Sequence, residues 1–272
     1  MASRPKIDID DYRVRPGNHL DLSQHATNDD GGLTKDSAAA HTDELHIKLQ
    51  TQQEQLFAQN QHRLLIVVQA MDTGGKDGLI KSLLSSVNPQ GIRLATFKAP
   101  STVELAHDFL WRVHSEVPGN GELVIFNRSH YEDVLIVRVH ELVPEQRWRA
   151  RYDHIRHFER MLADEGTTII KFFLHISKDE QKARLEARLA DPNKHWKFNR
   201  ADLDERKHWD DYTRAYQDAL SETSSDHAPW YIVPADRKWF RDLVVASVVT
   251  ETLDSLGLAY PPGEDLSGVV VD

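Results

Sequence analysis

Short runs of branched apolar residues alternate along this chain with longer stretches in which apolar positions recur at helical spacing. The short runs predict strands and the spaced stretches predict helices. Strands are predicted at residues 64–68, 92–97, 122–126, 167–176 and 230–233. Helices are predicted at about 36–60, 79–87, 103–114, 144–163 and 238–256, and a helical region broken at 191–193 is predicted at 178–220. This alternation is typical of an α/β fold, with a central parallel sheet between two helix layers. Ligands of such sheets bind at the carboxyl ends of the strands.

Polar segments at both ends divide the chain into three parts. Residues 1–60 are predicted to form an arm, rich in turn residues, and one helix. Residues 61–257 contain all the predicted strands, and residues 258–272 are predicted to be a loose tail. A length of 272 residues fits one large α/β domain with a small extra lobe.

Composition narrows the class of protein. The chain has no cysteine, which excludes disulfides, zinc–thiolate sites and thiol nucleophiles. No apolar run approaches the length of a membrane span, and the first residues lack the apolar stretch of a signal peptide, so we expect a cytoplasmic protein. A net charge of −10 argues against a general nucleic-acid binder, although a local basic groove could still hold a polyanion.

A glycine-rich segment follows the first predicted strand and precedes a helix. Its sequence, Ala70-Met-Asp-Thr-Gly-Gly-Lys76, places glycines where the backbone can curl so that successive N–H groups face phosphate oxygens. Lys76 adds a mobile positive charge. The segment departs from the G-x-x-x-x-G-K-[ST] pattern, because Ala70 replaces the first glycine and Asp77 replaces the hydroxyl residue. The predicted phosphate-binding residues are Thr73, Gly74, Gly75, Lys76, Asp77 and Gly78; the alternative is a glycine-rich turn with a surface lysine.

The missing hydroxyl suggests another metal ligand. An acid next to bound phosphates is repelled unless a divalent cation lies between them, and Asp72 is in the loop itself. Asp72 is therefore a candidate magnesium ligand. The alternative is an Asx-turn residue.

A second acidic motif follows the strand at 122–126. It is Asn127-Arg-Ser-His-Tyr-Glu-Asp133, with two adjacent acids five and six residues after Asn127. Asp133 would complete the magnesium site with Asp72, and Glu132 could bind metal or orient an accepting phosphate oxygen. Arg128 is a candidate for bidentate phosphate binding. The alternative is that both acids only stabilise the start of a helix.

The segment from 178 to 207 carries nine Lys or Arg and seven Asp or Glu. Arg184 and Arg188 are four residues apart and share a helix face. A helical lid carrying arginines can cover the transferring phosphate and exclude water, and we place this lid at about 178–210. The alternative is an ordinary solvated charged face. Four aromatic residues could stack on a nucleotide base, although such residues more often belong to the core: His195, Trp196, Trp209 and Trp230.

Four segments in this order resemble the family-2 polyphosphate kinases: residues 69–78, 127–133, 184–198 and 228–239. The resemblance extends from about residue 10 to residue 257. It implies a thymidylate-kinase-like P-loop fold, a three-layer sandwich with a helical lid. It also implies reversible phosphoryl transfer between inorganic polyphosphate and a nucleotide, dependent on Mg²⁺ or alternatively Mn²⁺. With it we expect adenine or alternatively guanine nucleotides as partners, and a homo-oligomer, either dimer or tetramer.

The resemblance also implies an active-site set, which comprises Asp72, Lys76, Arg128, Glu132, Asp133 and Arg184, with Asn127 and Arg188 as further phosphate-binding residues. The Asn-Arg-Ser-His-Tyr-Glu-Asp form is similar to the branch that phosphorylates both AMP and ADP. Branches limited to one acceptor have Asn in place of Glu132. The alternative functions are an ATP-dependent nucleoside or nucleotide monophosphate kinase and a nucleotide-binding regulatory module.

Overall fold

The computed structural model describes residues 7–85, 87–267 and 269–271. Residues 1–6 of the predicted arm, and residues 268 and 272 of the predicted tail, lie outside this part. Five parallel strands form one sheet: β1 Arg63–Ala70, β2 Ile92–Thr96, β3 Leu123–Asn127, β4 Thr167–His175 and β5 Trp230–Pro234. The strand order is β2-β3-β1-β4-β5, so the strand before the glycine loop is central.

Ten α-helices occur in the described chain: α1 Lys35–Gln59, α2 Lys76–Leu83, α3 Thr102–Leu105, α4 Trp111–His114, α5 Ile136–Val139, α6 Glu145–Asp164, α7 Lys178–Ala190, α8 Ala201–Glu205, α9 Trp209–Thr223 and α10 Lys238–Asp254. Short 3-10 helices lie at Ile9–Tyr12, Leu22–Gln24, His130–Val134, Pro192–Lys197 and Arg206–His208. None of the helices that the structure describes is both long enough and apolar enough to cross a membrane.

The sheet separates two apolar cores, because successive side chains of a strand point to opposite faces. Leu65 and Val67 of β1 pack in the core that contains α6 and α9. Leu64, Ile66 and Val68 pack in the core that contains α1, α2 and α10. The predicted three-layer α/β sandwich is confirmed.

Strand register brings the two predicted motifs together. Val68 of β1 pairs with Asn127 of β3, and Ala70 pairs with Leu174 of β4. The chain leaves β1 and β3 at the same edge of the sheet, so the glycine loop and the acidic segment lie side by side.

The predicted irregular arm docks against the sheet. Arg13 forms an antiparallel bridge with Tyr231 of β5, and the Val14 amide donates to the Trp230 carbonyl at 2.8 Å. Further along the arm, the Thr27 hydroxyl donates to Asp236 at 2.7 Å. The arm therefore covers the β5 edge.

One helix prediction was wrong. The stretch 103–114 forms two single-turn helices, α3 and α4, in place of one continuous helix. Asp108 lies between them and accepts from the Leu110 amide at 3.0 Å through its side chain. Such a local bond offers the backbone an alternative to the helix, which the apolar spacing does not register.

Candidate active site

The glycine loop forms a tight turn into α2. Gly75 precedes α2 with φ +100°, and the Gly74 amide donates to the Met71 carbonyl at 2.9 Å. A Cβ on Gly74 would lie 2.6 Å from the Cβ of Ala70. The methyl group of Ala70, which departs from the motif, thus fits because residue 74 has no side chain. The Lys76 ammonium donates back to the Ala70 carbonyl at 3.0 Å.

A pocket opens between this loop and the acidic segment, and Asp72, Arg128 and Glu132 line it together. Arg128 Nη2 donates to Asp72 Oδ1 at 2.9 Å, and both side chains are partly exposed. The Arg128 backbone has φ +63°, a conformation that non-glycine residues rarely adopt. Its amide donates to the Val68 carbonyl at 3.1 Å, which holds the turn against β1.

Burial disfavours the charged forms of Glu132 and Lys76 at this site. Burial raises the pKa of Glu132, opposed by Arg128 and Lys76 and reinforced by Asp72. Burial has the opposite effect on Lys76: it lowers the pKa of the ammonium, and the charge of Arg128 lowers it further. Glu132 and Lys76 are therefore each less stable as an ion than they would be in water.

Asp133 faces away from this pocket. Arg151 Nη1 donates to its Oδ1 and to its backbone carbonyl, both at 2.9 Å. Burial is the main influence on its pKa, which is raised, and Arg151, Arg112, His130 and Arg147 surround it. Asp133 is therefore not among the residues that line this pocket, whereas Glu132 lines it together with Asp72. Among the described residues, no group of three or more His, Asp or Glu side chains is arranged to hold a metal ion.

The predicted lid arginines do not line this pocket. Arg184 lies behind the glycine loop, where Nη1 donates to the Gly74 carbonyl at 3.0 Å and Nε to Glu180 at 2.7 Å. Arg188 pairs with Asp202 at 3.5 Å within the lid segment. Both arginines therefore bind protein groups in this structure.

The remaining predicted phosphate-binding residues lie around the loop. Asn127 Nδ2 donates to Asp77 Oδ1 at 3.2 Å, and Lys197 of the lid approaches Asp77 Oδ2 at 3.9 Å. Thr73 adopts φ +65° within the turn. A Cβ on Gly78 would meet nothing closer than 3.7 Å. Lys197 thus brings the predicted lid segment to the start of α2.

Of the other residues of the pocket wall, Trp209 was a predicted base-stacking candidate, whereas Gln181, Tyr212 and Tyr216 were not predicted. Gln181 of α7 donates Nε2 to the Asp72 carbonyl at 2.7 Å and accepts from Arg206 Nη1 at 2.8 Å. Trp209, Tyr212 and Tyr216 form one aromatic face of α9 toward the pocket. Their spacing of three and four residues was a detectable pattern. Nothing in the sequence marks Gln181.

A buried polar network lies behind the acidic segment. Lys171 Nζ donates to Glu159 Oε2 at 2.5 Å, to the Tyr131 hydroxyl at 2.8 Å and to the Thr223 carbonyl at 2.9 Å. Although burial by itself raises the pKa of Glu159, the Lys171 ammonium and His130 lower it below its usual range. Tyr131 and His130 belong to the same 3-10 helix as Glu132, so this network holds the segment that faces the pocket.

Comparison with known proteins assigns this site to a family. A family model described as polyphosphate kinase 2 matches residues 32–258. The chain belongs to this family. An AMP/ADP-polyphosphate phosphotransferase of Meiothermus ruber is 53% identical over 264 residues, which are 96% of this chain and 98% of that protein. An ADP-polyphosphate phosphotransferase of Rhodopseudomonas palustris is 46% identical, over 94% of this chain and 93% of that protein.

A solved polyphosphate kinase 2 from Arthrobacter aurescens has the same architecture. It is 42% identical, with a TM-score of 0.92, covering 97% of this chain and 94% of that one. The predicted family resemblance and the predicted P-loop kinase fold are confirmed. The chain is therefore a kinase of the polyphosphate kinase 2 family.

Phosphotransferases of this family generally depend on a divalent metal. The pocket fits such an ion at Asp72 and Glu132, because both carboxylates line it and the charge of Asp72 raises the pKa of Glu132. Asp133 fits less well, since its oxygens already accept from Arg151.

Proposed function

We propose that this chain transfers phosphoryl groups reversibly from inorganic polyphosphate to AMP and ADP, giving ADP and ATP. The observation that carries this proposal is the 53% identity to an AMP/ADP-polyphosphate phosphotransferase over nearly the full length of both chains. The position of Glu132 adds support. It lines the pocket next to Arg128, at the sequence position where branches limited to one acceptor have Asn.

The chemistry requires alignment and charge neutralisation, with no covalent enzyme intermediate. The N-terminus of α2 and the Lys76 ammonium would bind the phosphate oxygens. Arg128 would release Asp72 and bind the transferring phosphoryl group. The parallel N–H donors of its guanidinium suit phosphate oxygens. Tyr212 and Trp209 would border the nucleotide, and the lid would exclude water.

We propose Mg²⁺ as the metal, with Mn²⁺ as the alternative. Asp72 would hold it together with Glu132; the pairing with Asp133 expected from the sequence requires Asp133 to leave Arg151. When bound, the ion would neutralise charge between the donor and acceptor phosphates. Arg128, now paired with Asp72, would then be released toward phosphate.

The lid segment offers the basic surface for a long anionic chain. Lys197 lies near the start of α2, and Lys194 and Arg200 precede and follow it in the lid. We propose that polyphosphate approaches the loop along this side, while the nucleotide occupies the pocket. We further propose adenine as the preferred base, a cytoplasmic location and a homo-oligomer. Light scattering of the purified protein would test the oligomeric state.

The decisive experiment supplies AMP or ADP with long-chain polyphosphate and Mg²⁺ in the absence of ATP. Formation of ADP from AMP and ATP from ADP supports the proposal. Product only after ATP is added would indicate an ATP-dependent nucleotide kinase. Nucleotide binding without turnover in either assay would indicate a regulatory module.

A further inference from the structure

A second buried arginine lies directly behind the phosphate loop. Arg241, near the start of α10, has a side chain only 2% exposed. Its Nε and Nη2 donate to Asp242 Oδ1 at 2.8 and 2.6 Å. Its Nη1 donates to the carbonyl oxygen of Gly75 at 3.1 Å. One end of this guanidinium is therefore anchored by a carboxylate, and the other end binds the loop backbone.

Arg184 reaches the same loop from α7. Its Nη1 donates to the carbonyls of Thr73 and Gly74 at 3.3 and 3.0 Å. Three consecutive loop carbonyls thus accept bonds from two guanidinium groups. In a planar peptide unit the C=O and the following N–H point in opposite directions. The amides of Gly75 and Lys76 are therefore turned away from the two arginines, as the donors of a phosphate-binding helix start must be.

Gly75 permits this close approach. A Cβ on Gly75 would lie 2.6 Å from Arg241 Nη1 and 3.2 Å from Arg184 Nη1. The glycine before Lys76 therefore serves two purposes: it adopts φ +100° and it leaves room for the arginines. Arg241 contacts the back of the loop, and it is not among the residues that line the pocket.

We propose that Arg241 is a positioning residue for phosphoryl transfer. With Arg184 it fixes the loop carbonyls from behind, so that the loop amides stay directed at the phosphates being transferred. This inference rests on the proposed function. Preorganised donors act most strongly on the charge of the transition state. The loss of Arg241 should therefore lower kcat more than it changes the KM for the nucleotide or for polyphosphate.

The test must separate positioning from folding, because Arg241→Ala alone leaves Asp242 buried without its cation. Two variants avoid this difficulty. Arg241→Lys keeps the charge, but an ammonium lacks the fork that binds Asp242 and Gly75 together. Arg241→Met combined with Asp242→Asn removes both charges. For each we expect an unchanged circular dichroism spectrum and a kcat lowered about 20-fold, less than the roughly 10²–10³-fold cost of removing a preorganised donor itself, because Arg241 acts through the loop.

Chemical rescue separates the two roles, because added guanidinium would not restore activity if Arg241 only stabilised the fold. Millimolar guanidinium added to Arg241→Ala should restore part of its kcat, and the same concentration of ammonium should not. A merely destabilised protein would gain no activity, because millimolar guanidinium neither stabilises a fold nor, far below molar concentration, denatures it. Rescue of the variant without stimulation of the wild type is therefore the expected result.

Arg237→Met is the matched control. Arg237 lies at the start of α10 like Arg241, but it pairs with Asp30 of the arm and has no recorded bond to the phosphate loop. Its kcat should stay within about twofold of the wild type, as for a partly exposed ion pair. The proposal is overturned if Arg241→Lys and the double variant keep near wild-type kcat, or if guanidinium rescues nothing. A wild-type protein that makes no product from polyphosphate would instead overturn the proposed function before any variant is compared.

Discussion

Two charged clusters lie on opposite sides of the acidic segment, and they differ in how completely their charges are matched. Behind it, the Lys171 ammonium has three acceptors and is fully buried. In front, Asp72 and Glu132 share Arg128 and Lys76 at the edge of an open pocket. A buried cluster whose charged groups all have hydrogen-bonding partners holds a conformation. Charged groups at the edge of a pocket can instead exchange their partners for a charged ligand.

Lys76→Ala should have the largest effect of any change in the front cluster. It removes the only lysine of the phosphate loop, so we expect kcat to fall about 10³-fold, at the upper end for one electrostatic contact. The measurement is initial rates with ADP and polyphosphate at saturating Mg²⁺. A rate near that of the wild type would exclude a catalytic role for this ammonium.

Lys171→Met should have the largest effect in the rear cluster, on stability. It leaves the buried Glu159 without its ammonium partner, so we expect a loss of about 3–5 kcal/mol in the free energy of unfolding. Urea denaturation measures it. Adding Glu159→Gln to the same variant should recover much of the loss, because no buried charge is then left alone. An equal loss in the single and double variants would show that the ion pair itself is not the source.

Glu132→Asn tests whether the front cluster sets the acceptor. We expect kcat/KM with AMP to fall about 10–100-fold while kcat/KM with ADP changes less, a size typical of selectivity from one polar contact. Competition between AMP and ADP for limiting polyphosphate measures the ratio directly. Unchanged selectivity would remove Glu132 from acceptor recognition.

Asp133→Asn, the neighbouring substitution, should have the smallest effect on rate. Its carboxylate binds Arg151, so the expected result is a loss of about 1–3 kcal/mol in stability, the size of a hydrogen bond to a charged group. The rate and the Mg²⁺ concentration for half-maximal activity should change little compared with Asp72→Asn. A collapse of activity with intact stability would restore Asp133 as a metal ligand.

The contrast between Glu132 and Asp133 marks the boundary of what the sequence could predict. The positions of the strands along the chain, the loop after β1 and the second motif after β3 follow from apolar patterning and turn residues, and these were correct. Adjacent acids in a 3-10 helix point to different sides, and spacing alone does not say which one faces the pocket. That choice depends on Arg151, a residue 18 positions away on another helix.

Arg241 escaped prediction for a related reason. It belongs to a helix whose sequence shows only a good apolar face, and its role depends on reaching a backbone carbonyl 166 residues earlier in the chain. Backbone acceptors leave no trace in a sequence pattern. Gly75 showed a need for backbone freedom, but not that two arginines use the space beside it.

The docked arm makes the two edges of the sheet unequal. On the β5 side, Arg13 and Val14 already occupy part of the backbone bonding positions of the outer strand. On the β2 side, the described chain adds no further strand, and Leu94 is 46% exposed. An open edge is where a strand from another molecule can add. A strand of a second copy would therefore add to the sheet more easily at the β2 edge than at the β5 edge, because Arg13 and Val14 already bind the latter.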